Sequence, residues 1–205
     1  MKQRYFRTLP KRHLILCEGD SEVRYFISYR IDDENRERLR GLEIQIFRPV
    51  NHSPIGLVKE AKKLIKEAKK DKAPYESVWV VFDRNGHANI PSAFEEARTS
   101  NPPINVIFSV VCFEYWILLH FEKRKIFFAN GDAIVHHLKQ KFIDNYAKAQ
   151  LGYNHLKDKF DIAIENAQWL HQQNQNDLQN GSRKYELDAY TDIDLLMLFL
   201  KKLNK

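Results

Sequence analysis

The fold is decided by two stretches, which read Leu14-Ile15-Leu16-Cys17-Glu18-Gly19 and Val78-Trp79-Val80-Val81-Phe82-Asp83-Arg84-Asn85-Gly86. An uninterrupted apolar run that is rich in β-branched residues is typical of a strand buried on both faces, as in parallel sheets. Open α/β sheets place their chemistry at the carboxyl ends of such strands. We therefore expect Glu18 and Asp83, which are far apart in the sequence, to meet at one edge of one sheet.

Two acids at one edge of a sheet indicate a divalent cation. Like charges that are brought close together need a counter-charge, or one of the acids has to stay protonated. Mg²⁺ prefers six oxygen ligands and commonly keeps several waters, so one or two carboxylates, an amide oxygen and a substrate phosphate would complete its shell. The predicted cofactor is therefore Mg²⁺, or Mn²⁺ in its place.

Three further residues could join this site, and each also has a simpler explanation. Glu22 lies on the first turn of the helix after Gly19, where it either interacts with the helix dipole or contacts the metal. Asn85 could offer a neutral oxygen ligand, although Asn-Gly is also a favoured turn dipeptide. Glu114 follows the fourth predicted strand among apolar residues. It either caps its own helix or is a third acid of the site, because burying an unpaired acid is costly.

The order of the predicted elements indicates an α/β fold. Strands alternate with helices up to residue 111, which predicts a mainly parallel four-stranded sheet flanked by helices. The predicted strands are 13–17, 42–47, 77–82 and 104–111.

From Cys112 onward the pattern is helical. We predict helices near 131–149, 155–173 and 191–203, and we interpret the Gln/Asn-rich stretch 172–180 as an exposed loop. The chain is therefore divided into an α/β core, 1–125, and a helical extension that packs on the core, 126–205.

Composition agrees with a globular protein. The chain has 205 residues, of which 43% are hydrophobic, and no apolar run reaches the roughly 18 residues that a membrane span requires. Neither of its two cysteines has the spacing of a zinc site. We expect a cytoplasmic protein with no membrane partner, and an oligomer is compatible with the sequence.

The chain is modestly basic, with 33 Lys and Arg against 27 Asp and Glu and a formal net charge of +6. This balance favours a polyanionic partner only mildly. A lysine-rich helix is either a solvated face or a surface that follows phosphates, and other basic residues are predicted to lie nearer the sheet edge. The predicted nucleic-acid-binding residues are Arg48, Lys62, Lys66, Lys123 and Arg124.

Taken together, these motifs resemble the RloB-like family, whose members have a Toprim-type core and are linked to restriction systems. The resemblance covers almost the whole chain, and its most specific segment is Cys112-Phe113-Glu114-Tyr115-Trp116-Ile117-Leu118-Leu119-His120-Phe121. The other matching segments are Cys17-Glu18-Gly19 with Glu22, 81–87, 151–153 and 163–167.

The resemblance implies roles for individual residues. Glu18 would be a general acid/base or a metal ligand, and Asp83 a metal ligand. Asn85 departs from the Toprim pattern, which has a second aspartate there, so the site has one negative charge fewer. The resemblance also implies an anti-phage defence protein, a nuclease that acts with an ATPase partner.

Two hypotheses follow. The first is a Mg²⁺-dependent nuclease that hydrolyses phosphodiester bonds of DNA or RNA, in which Arg84 or Arg48 neutralises developing charge and His87 could approach a phosphate. The second is a non-catalytic nucleic-acid-binding or regulatory subunit with a degenerate Toprim site, which Asn85 favours. A nucleotide-binding module is a weaker alternative, since no Gly-rich phosphate loop follows the first strand.

Overall fold

The structure is a computed structural model, and it describes residues 10–203. Within them the chain forms one five-stranded sheet that is flanked by eight α-helices. The strands are β1 (Arg12–Cys17), β2 (Glu43–Phe47), β3 (Ser77–Asp83), β4 (Asn105–Val110) and β5 (Tyr190–Thr191). The helices are α1 (Asp20–Ile31), α2 (Asp33–Arg38), α3 (Pro54–Lys70), α4 (Ile90–Arg98), α5 (Glu114–Leu119), α6 (Gly131–Lys141), α7 (Phe160–Gln179) and α8 (Ile193–Lys202).

The sheet has the order β2-β1-β3-β4-β5, and its first four strands are parallel. The consecutive residues Leu14, Ile15 and Leu16 of β1 are fully buried. Because consecutive strand residues point to opposite faces, both faces of the sheet must be covered. This confirms the predicted α/β class and is consistent with a Toprim-like architecture.

The central pair of strands positions the two acids that the sequence singles out. β1 and β3 are neighbours, with Cys17 opposite Val81, and the backbone N–H of Glu18 donates to the carbonyl of Val81 at 2.9 Å. Glu18 therefore leaves the sheet at the level at which β3 ends in Asp83. The parallel pairing predicted from the two apolar runs is what brings them to one edge.

The sheet has one strand more than the sequence predicts. β5 pairs antiparallel with β4, with Ser109 opposite Thr191 and Val110 opposite Tyr190. The prediction of four strands missed β5, because a strand of two residues has no periodicity to detect. β5 comes from the predicted helical extension, and the boundary at residue 125 stays a prediction, with the outer ends of both units beyond the described residues.

Two helix predictions are wrong in their extent. α7 continues to Gln179, through the stretch that the sequence suggests is a loop. The fully buried Asn174 explains this, because its side-chain amide donates to the carbonyls of Leu170 and Ala189 at 3.0 and 2.9 Å. Conversely, α6 ends at Lys141, so residues 142–149 form an irregular segment where a helix was predicted.

A buried carboxylate anchors β5. Asp192 is fully buried; its Oδ1 accepts from the backbone N–H of Phe108 at 2.5 Å and its Oδ2 lies 2.6 Å from Nζ of Lys184. A charge taken out of water is tolerated only with such partners. Asp192 therefore joins β4 to the turn that precedes α8.

No helix among residues 10–203 is long and apolar enough to cross a membrane.

We expect Asp192→Ala to lower the free energy of unfolding by about 3 kcal/mol, because it leaves a lysine and a backbone N–H without their buried partner. Urea unfolding followed by circular dichroism measures the change. The control is Asp161→Ala, which removes an exposed acid paired with Lys201 at 2.8 Å and should cost far less. Equal losses in the two variants would contradict the anchoring role of Asp192.

Candidate active site at the strand ends

The acids predicted from the sequence line one cleft. It has a volume of about 330 Å³ and lies at the carboxyl ends of β1 and β3, between the first turns of α1 and α5. All five residues predicted as metal ligands line it, together with Arg48, His52 and Lys148. Those five are Glu18, Glu22, Asp83, Asn85 and Glu114.

Glu18 is held at both of its carboxylate oxygens. Oε2 accepts from the backbone N–H of Asp83 at 3.1 Å, and Oε1 lies 2.7 Å from Nε2 of His87. Asp83 is the last residue of β3 and His87 lies just beyond it, so the end of this strand fixes the side chain of Glu18, which follows β1. His87, which was expected to approach a phosphate, contacts a carboxylate of the cleft instead.

Asp83 is the acid of the cleft that has a buried oxygen without a hydrogen-bond partner. The residue is 8% exposed, and Oδ1 is buried with no hydrogen-bond partner in the described part of the chain. Burial raises the pKa of Asp83 well above its usual value, and the charges of Glu18, Glu22 and Glu114 raise it further. A buried polar atom without a partner is rare and costly, so a cation or a donor from a ligand is the natural complement of this oxygen.

Glu22 sits against the turn that follows β1. A Cβ atom at position 19 would lie 2.5 Å from Oε2 of Glu22, so Gly19 leaves the space that this carboxyl group occupies. Glu22 is 3% exposed, and burial, with repulsion from Glu114 and Glu18, raises its pKa to about 8. Glu22 is therefore mainly protonated at neutral pH, and its proton removes one of the negative charges of the cleft.

Glu114 is buried but well compensated. Oε1 accepts from Oγ of Ser21 at 3.0 Å and from the hydroxyl of Tyr146 at 3.4 Å. Oε2 lies 3.7 Å from Nζ of Lys148. The side chain is 2% exposed and faces the cleft, which is the alternative to a simple helix cap that the sequence left open.

The sequence analysis missed His52, Ser21, Tyr146 and Lys148, which line the cleft or bond to Glu114. The last two lie in the segment 142–149, which was predicted to continue the helix α6. If α6 continued, both side chains would project from that helix. The irregular segment instead brings them to Glu114. A signal was available in the break of apolar periodicity after Phe142, but nothing in the sequence shows where such a segment will go.

The structure does not bring several predicted residues to the cleft. Arg84, predicted as catalytic, donates through Nη1 to the carbonyl of Leu187 at 2.9 Å and does not line it. Of the predicted nucleic-acid-binding residues, only Arg48 lines the cleft; its Nε donates to the carbonyl of Glu18 at 2.8 Å. The other four lie elsewhere: Lys62 pairs with Glu96, Lys66 is exposed on α3, Lys123 lies over Trp169, and Arg124 pairs with Glu122.

The donor set fits a hard divalent cation. Among residues 10–203, no group of three or more His, Cys, Asp or Glu side chains is arranged to hold a metal ion by itself. Mg²⁺ does not require such a group, because it is commonly bound through one or two carboxylates, waters and substrate phosphate. The unpartnered oxygen of Asp83, with Glu18 and Asn85 in the same cleft, supplies ligands of this kind.

A comparison with protein families decides the relationship of the chain. The family model described as RloB-like protein matches residues 13–200. The chain belongs to the RloB-like family. This confirms the resemblance seen in the motifs, and the match spans the cleft and the segments that build it. Comparisons of this RloB-like protein with curated proteins and with solved structures gave no match.

The raised pKa of Glu22 predicts how stability depends on pH. The folded protein holds the Glu22 proton up to a pH of about 8, whereas an ordinary glutamate releases it near 4.5. Because the folded state binds more protons in this window, its free energy of unfolding falls as the pH rises from 4.5 to 8. The penalty is absent below this window and complete above it.

Glu22→Gln should remove the part of this fall that comes from Glu22, because a neutral amide of nearly the same size replaces the protonated carboxyl group. Asp83, whose pKa is also raised, contributes a fall of its own, which the variant keeps. Urea unfolding near pH 5 and near pH 8.5, in the presence of EDTA, measures the two slopes. If the variant and the wild type lose the same stability between these conditions, Glu22 does not titrate as described.

Proposed function

We propose that this RloB-like protein is a Mg²⁺- or Mn²⁺-dependent nuclease that hydrolyses phosphodiester bonds in DNA or RNA. The observation that carries the proposal is the buried, unpartnered carboxylate oxygen of Asp83 in a cleft lined by four further acids. A protein does not keep such a cluster for stability, because it raises the pKa of its own members. Strongly perturbed acids in a cleft are typical of functional sites.

Glu18, Asp83 and Asn85 would hold the ion. When bound, it would neutralise negative charge, polarise the phosphate and make a bound water more acidic. Glu18 is positioned for proton transfer, since its Oε1 lies 2.7 Å from Nε2 of His87. Arg48 lies on the same cleft wall, next to His52, and would bind a phosphate of the nucleic acid.

The biological setting is proposed on the family resemblance alone. In it, the protein acts in the cytoplasm in anti-phage defence, together with an ATPase. Because the cleft lies open at the surface of the protein, a substrate could enter it at any time. The partner would control when the nuclease acts.

A second function is favoured by a specific observation. Glu18 is already engaged by His87 and by the backbone of Asp83, and Asn85 supplies no negative charge. A chain with this arrangement could bind nucleic acid, or regulate a partner, without cleaving anything. The two functions differ in one measurable property, which is metal-dependent hydrolysis.

Purified wild-type protein should cleave labelled DNA or RNA when Mg²⁺ or Mn²⁺ is added. Asp83→Asn and Glu18→Gln should each lower the rate at least about 100-fold, since the charge stabilisation that an ion supplies is worth several kcal/mol. Mg²⁺ should also raise the melting temperature of the wild type but not of Asp83→Asn, because it binds the folded state. The control is Asp161→Asn, an exposed acid far along the chain on α7.

Cleavage that is equal in the wild type and Asp83→Asn, or that persists in EDTA, would contradict the proposal. Tight binding of nucleic acid without cleavage under any of these conditions would favour the second function.

Arg48→Met should weaken the binding of a single-stranded oligonucleotide and lower the slope of log K against log salt by about 0.7, the value for one lost phosphate contact. Lys62→Met is the matched control, because Lys62 is paired with Glu96 at 3.0 Å and does not line the cleft. Fluorescence anisotropy over a range of salt concentrations measures both variants. A larger effect at Lys62 would place the binding surface on α3 instead.

A further inference from the structure

The cleft is lined by a positively charged side chain, that of Lys148, which neither the motifs nor the family resemblance singles out. Among the described residues, Arg48 and Lys148 are the arginine and lysine side chains that line it. Nζ of Lys148 lies 3.7 Å from Oε2 of Glu114, and the lysine side chain is 45% exposed. The distance is long for a bonded pair, so the ammonium group keeps hydrogen-bonding capacity on the side that faces the cleft.

The segment that carries Lys148 is held in place by the site itself. Oγ of Ser21 donates to Oε1 of Glu114 and accepts from the backbone N–H of Ala149, each at 3.0 Å. The hydroxyl of Tyr146 also donates to Oε1 of Glu114. One serine on the first turn of α1 therefore joins an acid of the cleft to the residue that follows Lys148.

The backbone of this segment is strained. Asn145 and Ala149 have φ angles of 58° and 57°, in the left-handed region that alanine rarely adopts and asparagine adopts more readily. Such conformations persist only where the surroundings enforce them, and they cluster at functional sites. Gly131 leaves room for the ammonium group of Lys148, because a Cβ atom at this position would lie 3.0 Å from Nζ of Lys148 and 3.3 Å from Sγ of Cys112.

The charges of the cleft are divided between two sides. On the side of Glu114, the carboxylate has Ser21, Tyr146 and Lys148 as partners. On the side of Asp83, an oxygen has no partner in the described chain. A divalent cation would therefore gain most at Asp83, whereas Glu114 already has Lys148 beside it; the charge of Lys148 also acts on Asp83, but makes no hydrogen bond to its Oδ1.

We propose that Lys148 binds a phosphate group of the nucleic acid from the Glu114 side of the cleft, and that Glu114 and Ser21 position it. The inference rests on the proposed function and deepens it. In this proposal Glu114, which was predicted as a metal ligand, positions the ammonium group of Lys148. The rival explanation is that Lys148 only balances the charge of Glu114, in which case its loss changes stability but not the affinity for nucleic acid.

The test compares the wild type with Lys148→Met, Lys148→Arg, Ser21→Ala and the control Lys201→Met. Lys201 has a similar exposure, 41%, and also pairs with one acid, Asp161. The binding of labelled single-stranded DNA and RNA is measured by anisotropy in EDTA, so that no cleavage occurs. Thermal unfolding shows that each variant is folded, and Mn²⁺ binding is followed by electron paramagnetic resonance.

Lys148→Met should bind the oligonucleotide at least about tenfold more weakly, with a salt slope lower by about 0.7. Lys148→Arg, which keeps the charge, should stay near the wild type, and Ser21→Ala should lie between the two. Lys201→Met should not differ from the wild type. Mn²⁺ binding should be unchanged or tighter in Lys148→Met, because a positive charge near the ion has been removed.

An affinity and salt slope of Lys148→Met equal to those of the wild type would overturn the inference, whatever happens to its stability. Weaker Mn²⁺ binding in this variant would overturn it as well, because the lysine would then be organising the ion site. Binding without cleavage by the wild type in Mg²⁺ or Mn²⁺ would refute the nuclease and leave the result on Lys148 valid. A wild type that binds neither DNA nor RNA would refute both.

Discussion

The cleft depends on one constraint, which is the repulsion among four carboxyl groups held together in a largely buried space. Two unit charges 4 Å apart near a protein surface repel each other by about 4 kcal/mol, so the fold cannot keep all four ionised without compensation. Each acid has its own solution. Glu22 keeps a proton, Glu114 has Ser21 and Lys148, and Glu18 has His87 and a backbone N–H. Asp83 has none for Oδ1, which makes it the place where an external cation gains most.

These solutions come from different parts of the fold. The acids leave the ends of β1 and β3 and the first turns of α1 and α5, so their convergence is a property of the parallel sheet. The partners of Glu114, by contrast, lie on α1 and on the irregular segment 142–149. The sheet therefore brings the negative charges together, and elements outside the sheet supply some of the hydrogen bonds and the positive charge that stabilise them. This explains why a segment with two residues in the left-handed conformation is kept against the cleft.

The sequence was sufficient for features that rest on local patterns. Buried strands show as apolar runs, and the rule that parallel strands end together is enough to place Glu18 and Asp83 at one edge of the sheet. It was not sufficient where distant contacts override local preference. The Gln/Asn-rich part of α7 is helical because the side-chain amide of Asn174 donates to the carbonyl of Ala189. Arg84 points away from the cleft because its guanidinium donates to the carbonyl of Leu187. The partners in both cases lie in segments whose path has no periodic signal.

The position of β5 has a consequence for the order in which the molecule is completed. Residues 12–110 supply four parallel strands, but within residues 10–203 the outer edge of β4 pairs only with Tyr190 and Thr191, which follow α7 in the chain. While the chain is being synthesised, this edge has open hydrogen-bonding groups until α7 and then β5 have been made. The interval between the synthesis of β4 and that of β5 is therefore the time in which a growing chain is most exposed to wrong strand pairing.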